Sequence, residues 1–205
     1  RQLRRHLGAV PDDARTLATD LLARQSDVLT RLDPVRDVVV DSPRIRTHGD
    51  LHLGQILHTG QDFVIIDFEG EPGRPLAERR IKHSALRDVA GMVRSFHYAA
   101  EVGLHRAVQQ GLVDVGACDR VLAPWATWWR RRVEATFLAA YGAVVGPAGL
   151  VPSDESARSS LLEAYVIDKA LYELRYELGS RPAWSRIPLR GLIDLLDSAP
   201  RMLTC

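Results

Sequence analysis

Cysteine is scarce in this 205-residue chain: Cys118 and Cys205 are the only two. No disulfide framework can be built from them, so a reducing compartment is expected and the cytoplasm is the reading that follows. An excess of either charge is also missing, since 27 Lys and Arg against 26 Asp and Glu leave a formal charge of +1. That balance provides no electrostatic footprint for a nucleic acid or an anionic membrane, and points to a small-molecule partner. No apolar run after the Arg-rich start (Arg1, Arg4, Arg5) is long enough for a signal peptide or a membrane span. An initiating Met is absent before a charged, helical start, which raises the expectation that the chain is a piece of a longer protein. Lysine is nearly missing: among the 27 basic residues only Lys82 and Lys169 are lysines, and Gly8 is the only glycine before His48. Neither an internal repeat nor a low-complexity segment is found.

What is present suffices for one core. With 46% hydrophobic residues the chain is read as one domain. Leu17, Leu21, Val28, Leu29 and Leu32 recur at helical spacing and predict one amphipathic helix over 15–32. Pro34 and Pro43 bracket the β-branched run Val38–Val40. Ile56–His58 and Phe63–Ile66, separated by a Thr59-Gly60 turn, read as a hairpin. Gly70, Pro72, Gly73 and Pro75 make the next stretch a loop. The remainder is helical: 86–100, about 119–141, 153–178 with Gly179 at its C′ position, and a short helix beginning at Pro188. Trp125, Trp128 and Trp129 sit at helical spacing and are read as core, Arg130 to Arg132 as a solvated helix face, and Cys118 as a small buried or half-buried residue. The fold class is therefore mainly α with a small β-hairpin.

The informative segment is His48-Gly49-Asp50-Leu51-His52-Leu53-Gly54-Gln55, followed twelve residues after Gln55 by Asp67-Phe68-Glu69-Gly70. A loop Asp with an amide five residues on, then an Asp at a strand end, suits phosphoryl transfer. That reaction needs a carboxylate to align the attacking hydroxyl and take its proton, and oxygen ligands to hold Mg²⁺ on the phosphates of ATP. Asp50 fits the first task; Gln55 and Asp67 fit the second. Glu69 either approaches the metal or solvates the loop. His48 is read as structural to the loop rather than as a base. His48, Asp50 and His52 also form a His-x-Asp-x-His string of the metallohydrolase kind, but no further ligand cluster at suitable spacing accompanies it.

At these residues the chain resembles the kinase superfamily that includes aminoglycoside phosphotransferases, whose catalytic loop reads His-Gly-Asp, then Asn, then Ile-Asp. Gln55 at the Asn position, with Asp67-Phe68-Glu69-Gly70-Glu71-Pro72, is similar to the maltokinases and to the maltokinase part of trehalose synthase fusions. The likeness runs through Leu86–Gly91 and Arg94–Ala100 and recurs at Tyr165, Asp168-Lys169-Ala170 and Tyr172-Glu173. The resemblance implies the C-terminal lobe of a protein-kinase-like fold over 1–205: a catalytic loop at 48–55, a metal-binding turn at 67–70, and a helical substrate-binding part at 84–200. It implies ATP as co-substrate, maltose or a related sugar as acceptor, and Asp88 as the support beneath the catalytic loop. It further implies Asp168, Lys169, Tyr172 and Glu173, with His48, as substrate contacts.

For Lys169 and Glu173 a surface ion pair is the plainer alternative. The lysine that such kinases place before the catalytic loop, on the α- and β-phosphates, has no candidate here. The N-terminal ATP lobe is thus expected to be missing, and the chain to fold and bind sugar weakly without turning over ATP at a useful rate. Competing expectations are a lobe of a glucosamine or other sugar kinase, a non-catalytic module docked on trehalose synthase, and a metal-dependent hydrolase.

Overall fold

The computed structural model describes residues 2–203; Arg1 and Cys205 lie outside the described residues. Along the chain come α1 (Gln2–His6), α2 (Asp12–Ala23), α3 (Gln25–Leu32), β1 (Ile56–His58), β2 (Phe63–Ile65), α4 (Leu76–Arg79), α5 (Leu86–Gln109), α6 (Val115–Ala117), α7 (Ala123–Val145), α8 (Glu155–Ser180) and α9 (Arg186–Asp197). The chain divides into two compact units, Arg1–Asp41 with Pro152–Met202, and Ser42–Val151 with Leu203–Cys205. Among the described residues no helix is long and apolar enough to cross a membrane.

In the first unit α8 packs against α9 and α3, and α2 packs against α9. The seam is aliphatic: Leu162, Val166, Ile167 and Ala170 of α8 and Leu189, Leu192 and Leu195 of α9 are all buried. The single helix expected over 15–32 is two, because Arg24 (φ −95°, ψ 25°) leaves helical geometry. Its guanidinium reaches Asp197 at 2.8 Å and Asp27 at 3.2 Å, contacts that hold the break in place. α8 begins on Asp154, whose carboxylate accepts the Ala157 N–H at 2.7 Å. The helix runs through Gly179 instead of stopping before it. α9 starts at Arg186, ahead of Pro188. The run Val38–Val40 lies outside regular structure, and Val39 and Val40 are exposed.

Asp41 ties the two ends of the first unit together by accepting from the Ser153 N–H at 3.0 Å and from the Ser153 hydroxyl. These bonds hold the Asp41 carboxyl below its ordinary value, the hydroxyl contributing most. A carboxyl whose folded pKa is depressed contributes stability above its unfolded pKa and loses it as pH falls through the folded one. An NMR titration of the Asp41 side-chain carboxyl carbon is therefore expected to show a midpoint below that of an ordinary aspartate, moving upward in Ser153→Ala. Identical midpoints in both proteins would contradict the assignment.

In the second unit α5 packs against α7. Leu86, Val89, Ala90, Val93 and Phe96 are buried along α5, and the Phe96 and Phe137 rings meet edge to face at 5.5 Å. β1 and β2 form an antiparallel ribbon with Ile56 opposite Ile65, Leu57 opposite Val64 and His58 opposite Phe63. The ribbon ends one residue before the expected Ile66, and its apolar side chains are exposed on both faces, Phe63 by 66% and Leu57 by 50%.

On α7 Arg131 and Arg132 are exposed as expected, but Arg130 and the tryptophans are not placed as the sequence reading had them. The buried face is Arg130, Glu134, Leu138, Gly142 and Val145, while Trp125, Trp128 and Trp129 are exposed by 65%, 60% and 42%. Arg130 turns inward because Glu134, one turn on, stands 3.7 Å from its guanidinium, and a buried charge persists only when paired. Before α7 the chain takes a π-helical turn, Cys118–Leu122, with Cys118 buried and its thiol 3.9 Å from the Leu104 carbonyl oxygen.

Candidate active site

The loop His48–Gln55 starts from a two-way backbone bridge between Ile45 and His83 and folds back over α5. Two glycines let it meet the acidic turn after β2. Gly49 (φ +86°) and Gly70 (φ +79°) are both left-handed, and a Cβ added to Gly49 would lie 3.2 Å from the Gly70 Cα.

One face of α5 carries the loop. Asp88, Gly91 and Ser95 follow at i, i+3 and i+7, the spacing that stacks side chains on one side of a helix. The Asp88 carboxylate accepts the His48 N–H at 2.6 Å and the Gly49 N–H at 2.9 Å. The Ser95 hydroxyl accepts the Leu53 N–H at 2.8 Å. Between them the missing side chain of Gly91 makes room: a Cβ there would fall 2.4 Å from the Leu51 carbonyl oxygen. Gly91→Ala is therefore expected to cost about 1–3 kcal/mol of stability by overpacking and to move the amide signals of Leu51 to Leu53. Unchanged melting and unchanged amide shifts would show that the close approach is not there.

His48 is buried with both ring nitrogens engaged. Its Nδ1 accepts the Asp50 N–H at 3.3 Å, so its Nε2–H donates to the Ile66 carbonyl at 2.7 Å, and Phe68 packs on the ring at 4.9 Å. His52 Nδ1 accepts the Gly54 N–H at 3.0 Å, which leaves its Nε2 facing Asp50 Oδ2 at 4.0 Å. The Asp50 side chain is 17% exposed, on the inner side of the loop yet reachable. Burial, reinforced by Arg87, Arg74 and Arg44, pushes His83 below the ordinary imidazole value, so the root of the loop carries an uncharged histidine at neutral pH.

The ribbon brings the remaining pair together. Ile66 N–H donates to the Gln55 carbonyl at 3.0 Å, and Gln55 Nε2 donates to Asp67 Oδ2 at 2.9 Å. Asp67 adopts φ +63°, the only non-glycine among the described residues with a positive φ. A conformation of this kind costs about 1–3 kcal/mol, and here it aims the carboxylate back at Gln55. An amide and a carboxylate in contact are hard donors of the kind a divalent cation prefers. Glu69 is exposed. Among the described residues no group of three or more His, Cys, Asp or Glu is arranged to hold a metal ion, so the hydrolase string around His52 gains no further protein ligand.

Asp168, Lys169, Tyr172 and Glu173 lie on α8 in the first unit, whereas the loop and the ribbon belong to the second. Lys169 Nζ sits over the Tyr172 ring at 5.2 Å, a cation–π contact, and Asp168 is exposed. Sequence reasoning missed Gly91 and Ser95. Their common face with Asp88 was the available signal.

No family model matches the chain. It is 32% identical over 194 residues to a glucosamine kinase of Mycolicibacterium smegmatis, covering 91% of this chain and 44% of the relative. A glucosamine kinase of Streptacidiphilus jiangxiensis is 28% identical over 173 residues, 84% of this chain and 35% of the relative. Among solved structures, a glucosamine kinase in complex with glucosamine, ADP and inorganic phosphate superposes with a TM-score of 0.72 at 27% identity, over 95% of this chain and 45% of that one. A second glucosamine kinase crystal form gives 0.71 at 26%. The mainly helical fold with its two-stranded ribbon is thus similar to part of the glucosamine kinase structures, and the chain spans less than half the length of the relatives it matches.

Proposed function

We propose that this chain is the catalytic-loop and acceptor-binding part of an ATP-dependent sugar kinase, with glucosamine as the first candidate acceptor. The observation that carries the reading is the Gln55–Asp67 contact at 2.9 Å, made beside a loop whose backbone is pinned by Asp88. In this reading Asp50 aligns the attacking sugar hydroxyl and takes its proton as the phosphoryl group transfers. The Gln55 amide oxygen and the Asp67 carboxylate would hold Mg²⁺, which would supply charge neutralisation on the phosphates. Asp88 keeps the loop rigid, because each amide proton it accepts would otherwise have to find water beneath the loop. Asp168, Lys169, Tyr172 and Glu173 are the proposed sugar contacts. His48, with both ring nitrogens engaged inside the loop, is left only ring edges for such a contact.

The choice of sugar departs from the resemblance to maltokinases. The two relatives and the two solved structures described above are all named for glucosamine, and none for maltose or trehalose. Maltose stays as the second acceptor on the strength of Gln55 and the Asp67–Pro72 segment alone, and docking on a trehalose synthase has no support from these relatives. The lysine and the glycine-rich cover of an ATP site, absent before His48, would be supplied from outside this chain.

A chimera tests the proposal. This chain replaces the matched segment of the Mycolicibacterium smegmatis glucosamine kinase, and ADP release is followed with glucosamine and with maltose. Glucosamine-dependent release is expected. A folded, monodisperse chimera silent on both sugars would remove the kinase reading, and one active on maltose alone would restore the maltokinase assignment.

A further inference from the structure

Where α8 begins, the first unit holds a depression of about 630 Å³ lined by residues of α3, α8 and the segment after α9. Glu163, 3% exposed, is among the lining residues. Its Oε2 faces Arg201 at 3.4 Å, but its Oε1 is buried without a hydrogen bond among the described residues, and the Arg31 guanidinium is 4.0 Å away. A buried carboxylate oxygen without a donor costs free energy that a ligand hydroxyl would recover. The Arg31 guanidinium is occupied elsewhere, its Nη2 donating to the carbonyls of Leu195 and Ser198.

The rest of the lining selects the chemistry. Hydroxyls of Ser156, Ser159 and Ser160 donate and accept; Asp154 and Glu155 stand at the rim; Pro34, Pro200 and Met202 offer apolar contact. Ser159 Oγ lies 3.8 Å from Met202 Sδ, tying the tail to the helix. Rim carboxylates repel an anion, and the two arginines are committed to Glu163 and to main-chain carbonyls. Aromatic rings are absent from the lining, so a planar heterocycle has nothing to stack on. A hydroxyl-rich ring satisfies each requirement: its O–H groups donate to Glu163 and exchange bonds with the serines, while its C–H faces lie on proline and methionine.

We propose that this depression is a second small-molecule site, distinct from the catalytic loop, for an uncharged polyhydroxylated ligand of saccharide size. The Asp168, Lys169, Tyr172 and Glu173 group is not part of its lining. The inference stands whether or not the kinase reading does.

The chain's two methionines make a direct test. Met202 lines the depression, while Met92 is buried in α5 beside Gly91, in the other unit. With the methionine methyls labelled with carbon-13, glucose titrated into the chain is expected to shift the Met202 signal and spare Met92, saturating in the range of about 1–10 mM usual for a small saccharide. Glu163→Gln is expected to weaken the Met202 response by roughly 10-fold or more. Should that variant fail to fold, Ser160→Ala is expected to weaken it by a few-fold. Glucose 6-phosphate is expected to bind more weakly than glucose. A static Met202 signal, a response at Met92 alone, full retention in both variants, or tighter binding of the phosphate ester would each overturn the proposal.

Discussion

Asp50→Asn is expected to lower sugar phosphorylation by roughly 100- to 10,000-fold in an enzyme containing this chain, the range for a lost general base. Asparagine keeps the shape of the side chain and the main-chain N–H that donates to His48 Nδ1. What would disappear, on the proposed role, is the charge that takes the hydroxyl proton. The loss should fall on kcat with KM for the sugar nearly unchanged, as for an interaction made only in the transition state. A melting temperature equal to that of the wild type, measured beside the kinetics, separates this from unfolding. Turnover within a few-fold of wild type would remove Asp50 from the chemistry and with it the reading of the loop.

Asp88→Ala is expected to destabilise the second unit by about 2–5 kcal/mol, because two loop amides lose their acceptor at once. At this chain length each kcal/mol corresponds to about 2–4 °C, so a fall of roughly 5–15 °C in Tm is the readout. Asp88→Asn discriminates the cause. An amide oxygen accepts from only one of the two N–H groups without turning its own donors on the other, so an intermediate loss is expected. If Asp88→Ala melts like the wild type, the bonds to His48 and Gly49 contribute nothing net, and the support of the loop must be sought in Ser95 and the Ile45–His83 bridge.

How far the site was legible can be followed residue by residue. The ribbon could be read from its β-branched runs and the Thr59-Gly60 turn, and the Thr59 N–H does bond to the Asp62 carbonyl at 2.8 Å. Gln55 precedes β1 and Asp67 follows β2, at the same open end of the ribbon, so pairing Ile56 with Ile65 brings them together once the turn is made. The seat beneath the loop was half legible: Asp88 was picked out by resemblance, while Gly91 and Ser95 became visible only when α5 was seen to carry all three on one face. α7 was misread. A helix with apolar residues on more than one side has no single hydrophobic stripe, and the tryptophans outweighed Arg130 and Glu134 in any local reading.

By itself the sequence determined the classes of element, the hairpin with its turn, and which polar residues the loop carries, all of which depend on neighbours within a turn or two of chain. Tertiary structure alone decided which face of α7 is buried, where the 15–32 helix breaks, how closely Leu51 approaches Gly91, and that Glu163 is shut away with one oxygen unsatisfied. Those outcomes depend on what arrives from distant parts of the chain: Asp197 for Arg24, Leu51 for Gly91, Arg201 for Glu163. Local propensity carries no information about such partners, and their contacts are what outweigh it.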